Sequence, residues 1–166
     1  MFGRSRVALM VALLALGGPV AGAVADPGHS VQRPFALNMD ALVSVAPVQR
    51  CPGELTLELV LNGTATHLGR FGAIGTHCTL PTLAIEAVPL HSGVATFTAA
   101  DGSTLAVTYE GWQDTPVSGV ASVTFTIEIV SGTGRFADAA GSWTGTGTLD
   151  LATFTGGAEA RGWIRY

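Results

Sequence analysis

The chain has 166 residues, with 12 acidic residues against 8 arginines and no lysine, a formal net charge of −4, 48% hydrophobic residues and 22 glycines. A negative, sparsely charged surface repels phosphate backbones and anionic lipid headgroups, so neither nucleic acid nor a membrane surface is an expected partner. The length fits one domain of ordinary size, large enough to bury a core.

The N-terminus has the three parts of a secretory signal. Arg4 and Arg6 precede an apolar run from Val7 to Leu16, a Gly17-Gly18-Pro19 break follows, and Ala21-Gly22-Ala23 and Ala23-Val24-Ala25 each offer a cleavage site. The apolar run is about half of the ~20 residues a membrane-spanning helix requires. Residues 1–25 are therefore expected to be a signal peptide, 26–34 a disordered lead-in and 35–166 the folded domain, secreted and without membrane in its mature form. Cleavage removes two arginines and no acid, leaving 12 acids against 6 arginines, a net −6. An arginine-only, Ala/Gly/Val-rich composition also points to a GC-rich bacterial source. In an oxidising compartment Cys51 and Cys78 are expected to form a disulfide. Combined with His77 and His91 they match no standard zinc spacing, and no metal is expected.

Along the chain, Phe35 to Val45 reads as a first strand, ending at Pro47. Leu55, Leu57, Leu59 and Leu61 alternate with Glu54, Thr56, Glu58 and Val60, the period of a strand with one buried face. Asn62-Gly63 follows and predicts a tight hairpin turn into a partner strand from Thr64 to Phe71; its match to a glycosylation sequon is the weaker reading. Gly72 and Gly75 predict a bend or bulge on the way to Cys78. Leu83 to Val88 reads as a short strand ended by Pro89. Val94 to Ala99 and Ser103 to Trp112 form a hairpin about Ala100-Asp101-Gly102, with Leu105, Val107 and Tyr109 on one face. The loop from Gln113 to Ser118 leads into the unit from Ala121 to Leu151, around which the chain is organised. There Val123, Phe125, Ile127 and Ile129 alternate with Ser122, Thr124, Thr126 and Glu128. Gly132-Thr133-Gly134 breaks the strand, and Trp143, Gly145, Gly147, Leu149 and Leu151 share one side of the next. A last strand runs from Ala158 to Tyr166 after Gly156-Gly157.

Eight or nine short strands without helical periodicity describe an all-β sandwich or barrel. A last strand reaching Tyr166 without a polar tail favours closure, by pairing with the first strand so that no edge remains. An eight-stranded barrel has an interior filled by side chains or just wide enough for one small ligand.

Gly69-Arg70-Phe71 and Gly134-Arg135-Phe136 repeat a short turn motif. The phrase SGTGRFADAAGSWTGTG, with ATHLGRF, TFTAADGSTL and the terminal GWIRY, resembles bacterial secreted proteins with the allene oxide cyclase-like barrel, an architecture shared with plant dirigent proteins. The resemblance covers about Leu55 to the end. It implies an eight-stranded antiparallel β-barrel with a central cavity, monomeric or homo-oligomeric, with the trimer of plant members as the model. It carries no catalytic residue across.

Gly132 to Ala137 satisfies the dinucleotide pattern G-x-G-x-x-[GA], but glycines 141, 145 and 147 exclude the helix whose amides would hold a pyrophosphate, and no cofactor is expected. Neither G-x-S-x-G nor H-E-x-x-H occurs. The candidate ligand-binding residues are Glu58, His67, Arg70, Tyr109, Glu110 and Glu128. If the polar faces turn into the barrel, these acids and Arg70 converge on a ligand. If they turn to solvent they are surface charges, and the leucine and isoleucine faces are the natural filling of a small barrel. Arg70 and Arg135, each between glycine and phenylalanine, are expected to bond turn carbonyls or a carboxylate such as Asp138, with the holding of an anionic ligand as the weaker reading. Three functions are compatible with this reading: a binder of a small hydrophobic or aromatic molecule, a cofactor-free cyclase or dirigent-like stereoselective protein, and a structural protein with a filled barrel.

Overall fold

A computed structural model of the protein describes residues 31–81, 86–114 and 119–166. The signal peptide and most of the lead-in lie outside these residues, as do parts of the segments around Leu83 and Gln113 to Ser118. Eight strands follow one another: β1 (Arg33–Val45), β2 (Leu55–Ala65), β3 (Gly69–Thr79), β4 (Ala87–Ala99), β5 (Thr104–Asp114), β6 (Val120–Gly132), β7 (Ala140–Asp150) and β8 (Thr155–Arg165). Each pairs antiparallel with its sequence neighbour, and β1 pairs with β8 from Arg33↔Ile164 to Leu42↔Thr155, closing the sheet into a barrel. Every strand thus has two partners, and no backbone edge is left to recruit another chain.

The alternation read from the sequence decides which face turns inward. Phe35, Leu37, Leu61, Leu105, Val107 and Ile127 are buried in one core, with Leu59, Phe125 and Ile129 packed against it. Glu58, Thr64, Glu110 and Glu128 occupy the intervening, outward positions, and the last three are exposed. At the barrel end that carries Arg33 and Arg165, a short 3₁₀ turn (Gly134–Phe136) drops Phe136, fully buried, into the interior. Trp143 stacks on Phe35 with ring centroids 4.5 Å apart, Phe71 meets Phe97 at 5.2 Å and Phe136 meets Tyr166 at 5.1 Å. Aromatic burial of this kind contributes roughly 1.5–3 kcal/mol per ring, so this end is firmly plugged.

The two GRF motifs lie at this same end. Gly69 and Gly134 both adopt positive φ, and the phenylalanine two residues after each is buried. Arg135 forms an ion pair with Asp101 rather than Asp138, donates to the His67 carbonyl at 3.0 Å, and lies over the Phe136 ring at 4.5 Å. Arg70 is exposed on the outer face.

Several turns fall elsewhere than expected. Asn62-Gly63 is not a hairpin turn: β2 continues to Ala65, and the chain reverses over residues 66–68. Gly63 is required because an added Cβ would collide with the Asn38 carbonyl and lie 3.0 Å from Phe71 Cζ. The turn is set instead by His67, at φ 72°, a conformation for which histidine is enriched, and by Gly69 at φ 68°. Thr66 fixes it to β1, its hydroxyl accepting from Ala36 N–H at 2.7 Å and facing Ala36 O at 3.0 Å. Gly72 and Gly75 sit in a regular ladder, and the β3 irregularity lies further on, between Thr76 and Cys78. Pro89 does not end a strand but lies within β4, one residue beyond the Leu90↔Thr79 pair that finishes the β3 ladder, where its missing N–H removes nothing. Gly156 and Gly157 belong to β8, and β1 starts at Arg33 rather than Phe35.

Candidate functional site

The plug fills one end of the barrel and leaves an apolar cavity of about 100 Å³ beyond it, towards the end where β1 meets β2. Leucines of β2 form one wall; Phe97, Phe125 and Ile127 close it towards the plug, and the facing wall carries Gly147, Gly157 and Ala158. The small wall has a packing reason. A Cβ at Gly147 would lie 2.5 Å from the Gly157 carbonyl and 2.7 Å from Ala158 Cβ, so the close approach of β7 and β8 leaves no room for a side chain there. The outer surface over the same strands is a broad groove bearing Glu110, Trp112, Glu159 and Arg161.

Two titratable side chains reach the cavity wall among the described residues, His77 and Tyr109. Their rings meet edge to face, with His77 Nδ1 3.0 Å from the Tyr109 hydroxyl. His77 is 4% exposed. Burial lowers its pKa to about 4, and the positive charges of Arg50 and His91 act in the same direction. Burial raises the Tyr109 pKa, against a smaller opposing effect of Arg50. Near neutrality both groups are uncharged, joined by one hydrogen bond. The second ring nitrogen, His77 Nε2, is buried without a hydrogen-bond partner.

Local structure explains how a histidine arrives there. It continues the inward series Phe71, Ala73, Gly75 along β3, and the register with β4 shifts around it, Thr76 facing Val94 and Cys78 facing His91. Such an irregularity re-aims side chains. Cys78, the next residue, is bonded to Cys51, which ties the loop after β1 to the end of β3. Thr56 donates to Cys51 Sγ at 3.1 Å, Arg50 N–H donates to Thr56 Oγ1 at 2.9 Å, and the Arg50 guanidinium reaches the carbonyls of Thr76 and Ser92. The bridge and the arginine therefore hold the backbone on both sides of His77.

Of the six residues expected at a ligand, Tyr109 faces the cavity. Glu110 and Glu128 share a hollow on the outer face with Arg50. Glu58 points outward between Ser44 and Thr76, and Arg70 is on the exterior. His67 lies in the β2–β3 turn at the plugged end, with Nε2 3.1 Å from Pro34 O and Nδ1 3.3 Å from the Tyr166 hydroxyl. The fold thus does not gather the three glutamates with Tyr109. His77, absent from that set, was marked by its place on the same alternate face as Phe71 and Ala73. Glu54, Cys78 and His91 bring ligand atoms within 4.8 Å of one another, but the Cys78 sulfur is committed to the disulfide and His91 Nε2 contacts Glu54 at 2.9 Å.

The chain is a closed eight-stranded antiparallel barrel around an apolar cavity. Two solved structures share it: that of the pterocarpan synthase dirigent protein PsPTS1, with TM-score 0.54 and 16% identity over 82% of this chain and 96% of that one, and that of the pterocarpan synthase dirigent protein GePTS1, with TM-score 0.55 and 15% identity over 92% and 99%. At these identities the likeness is one of fold. No protein-family model and no curated protein matches the sequence. Among the described residues no helix is long and apolar enough to cross a membrane.

Proposed function

We propose that this is an exported protein that binds a small hydrophobic or aromatic molecule inside its barrel, without turnover, cofactor, nucleic acid or membrane, as a monomer or homo-oligomer. The cavity carries this reading: about 100 Å³ bounded almost wholly by hydrocarbon, in a domain that otherwise packs its interior with aromatic rings. Apolar cavities of similar size stay dry and take up benzene-sized guests. The disulfide supports an oxidising, extracytoplasmic location.

Mass spectrometry under native conditions, on protein recovered from its own secretion, tests the reading by seeking a co-purifying small molecule. Benzene added to ligand-free protein is expected to raise the melting temperature, because a guest bound only by the folded state stabilises it. No co-purifying molecule and no benzene shift would identify the barrel as filled and structural.

The His77–Tyr109 couple favours a second reading, a cofactor-free cyclase or dirigent-like protein. A neutral imidazole and a phenol within hydrogen-bond distance on the wall of an apolar cavity would orient a reactive guest.

A further inference from the structure

The disulfide lies in a cluster of metal-ligating side chains outside the cavity. In Cys51-Pro52-Gly53-Glu54 the Glu54 N–H donates to the Cys51 carbonyl at 3.2 Å and Gly53 takes φ 77°. The turn thus presents a sulfur and a carboxylate with two residues between them, the spacing of the first ligand pair in many zinc sites. Facing it, Cys78 of β3 and His91 of β4 are register partners. The ligand atoms of Glu54, Cys78 and His91 all lie within 4.8 Å of one another, and Cys51 is bonded to Cys78. Around a tetrahedral zinc, bonds of about 2.0–2.3 Å set neighbouring ligand atoms roughly 3.3–3.8 Å apart, so the four groups already stand at the corners of such a site. Their surroundings fit as well. His91 Nδ1 has the Ser92 hydroxyl at 3.1 Å while Nε2 turns to Glu54 Oε2 at 2.9 Å, the outer nitrogen bonded and the inner one aimed at the centre. Thr56 donates to Cys51 Sγ, and Arg50, held on the carbonyls of Thr76 and Ser92, brings a positive charge that favours thiolates. The sulfurs are buried, but the His91 and Glu54 side chains are 42% and 26% exposed, which gives an ion a way in.

We propose that, once the bridge is opened, Cys51, Glu54, Cys78 and His91 bind one zinc ion, so that metal and disulfide are alternative clasps for the same two segments. Two thiols of an external reductant, RSH, supply two electrons and two protons, turn the bridge into two cysteine thiols and leave as the disulfide RSSR. Zinc then displaces to solvent both thiol protons and the proton between His91 and Glu54. The proposal is independent of what the barrel holds.

Cobalt(II) tests it, since its spectrum reports both thiolate ligation and tetrahedral geometry. The intact protein is reduced with dithiothreitol, freed of it without air and titrated at pH 7. One equivalent of cobalt is expected to produce sulfur-to-metal charge-transfer and tetrahedral d–d bands that zinc abolishes, and the oxidised protein neither. His91→Ala and Glu54→Ala should each weaken cobalt by more than the roughly 10–100-fold that loss of an outer-shell partner costs. No charge-transfer band, an octahedral spectrum, or affinities that both variants leave unchanged would overturn the site, the last showing that the cysteine pair binds alone. Should reduction unfold the metal-free chain, zinc is expected to restore its β-sheet circular dichroism, because binding to ligands the fold brings together is coupled to folding; failure to restore it overturns the site too.

Discussion

Acidification from pH 7 to pH 5 is expected to remove about 2 kcal/mol of folding stability through His77 alone. In the unfolded chain the imidazole titrates near its ordinary value of 6.5, whereas in the barrel burial and the Arg50 charge lower its pKa to about 4. The unfolded state therefore binds more protons throughout that interval, and linkage makes stability fall as the pH falls. The contribution is fully present above pH 6.5 and is lost progressively towards pH 4, where the accumulated loss reaches about 3 kcal/mol at 1.36 kcal/mol per pKa unit. Denaturant midpoints measured every half unit for the wild type and for His77→Phe isolate this contribution, because carboxylates and the other histidines titrate in both proteins and cancel in the difference. The variant is expected to lose about 2 kcal/mol less than the wild type between pH 7 and 5. Parallel curves would refute the reasoning, for they would mean that His77 is as well solvated in the barrel as in the unfolded chain.

Other perturbations probe the remaining parts of the fold. Reducing the Cys51–Cys78 bridge, which spans 27 positions, should lower stability by roughly 3–4 kcal/mol on the loop-entropy relation, read as a shift of the urea midpoint with and without reductant. Gly63→Ala, whose methyl would meet the Asn38 and Met39 backbone, should destabilise by about 1–3 kcal/mol, while Gly72→Ala, with its nearest neighbour at 3.7 Å, should change the thermal midpoint little. Tyr109→Phe leaves His77 Nδ1 unpaired as well and should cost about 1–3 kcal/mol in chemical denaturation. Arg135→Ala removes a half-exposed pair with Asp101 and the bond to the His67 carbonyl; a loss of about 1 kcal/mol or less is expected by the same measurement.

The sequence was most legible where burial is one-sided. Val123, Phe125, Ile127 and Ile129 announce an inward face by alternation, and the structure places all four inside. Pairing of β1 with β8 was legible from the need to hide both edges, and the disulfide from two cysteines expected in an oxidising compartment. Turn positions were less so. Asn62-Gly63 carries strong hairpin chemistry, yet its glycine serves a close approach between neighbouring strands, and a histidine at positive φ makes the turn. Local propensity lost there to the strand length that closure imposes. The site was legible only in half. Tyr109 lay on a readable apolar face, but His77 precedes Cys78 at an irregularity whose register depends on β4, information that no short stretch contains. Glu58, Glu110 and Glu128 drew attention as ionisable groups on strands, and the same alternation that buried the leucines turned them outward.

The order of the strands bears on how the molecule assembles. Seven of the eight ladders join segments adjacent in sequence and can zip locally, hairpin by hairpin, whereas the β1–β8 ladder unites the two most distant parts of the domain and must await the rest. Until it forms, the nascent sheet is open along two unprotected borders, one bearing Phe35 and Leu37 and the other Ala160 and Ile164. A protein with no border in its final state therefore passes through one that has two, and the moment of greatest exposure to self-association falls just before the seam is sewn.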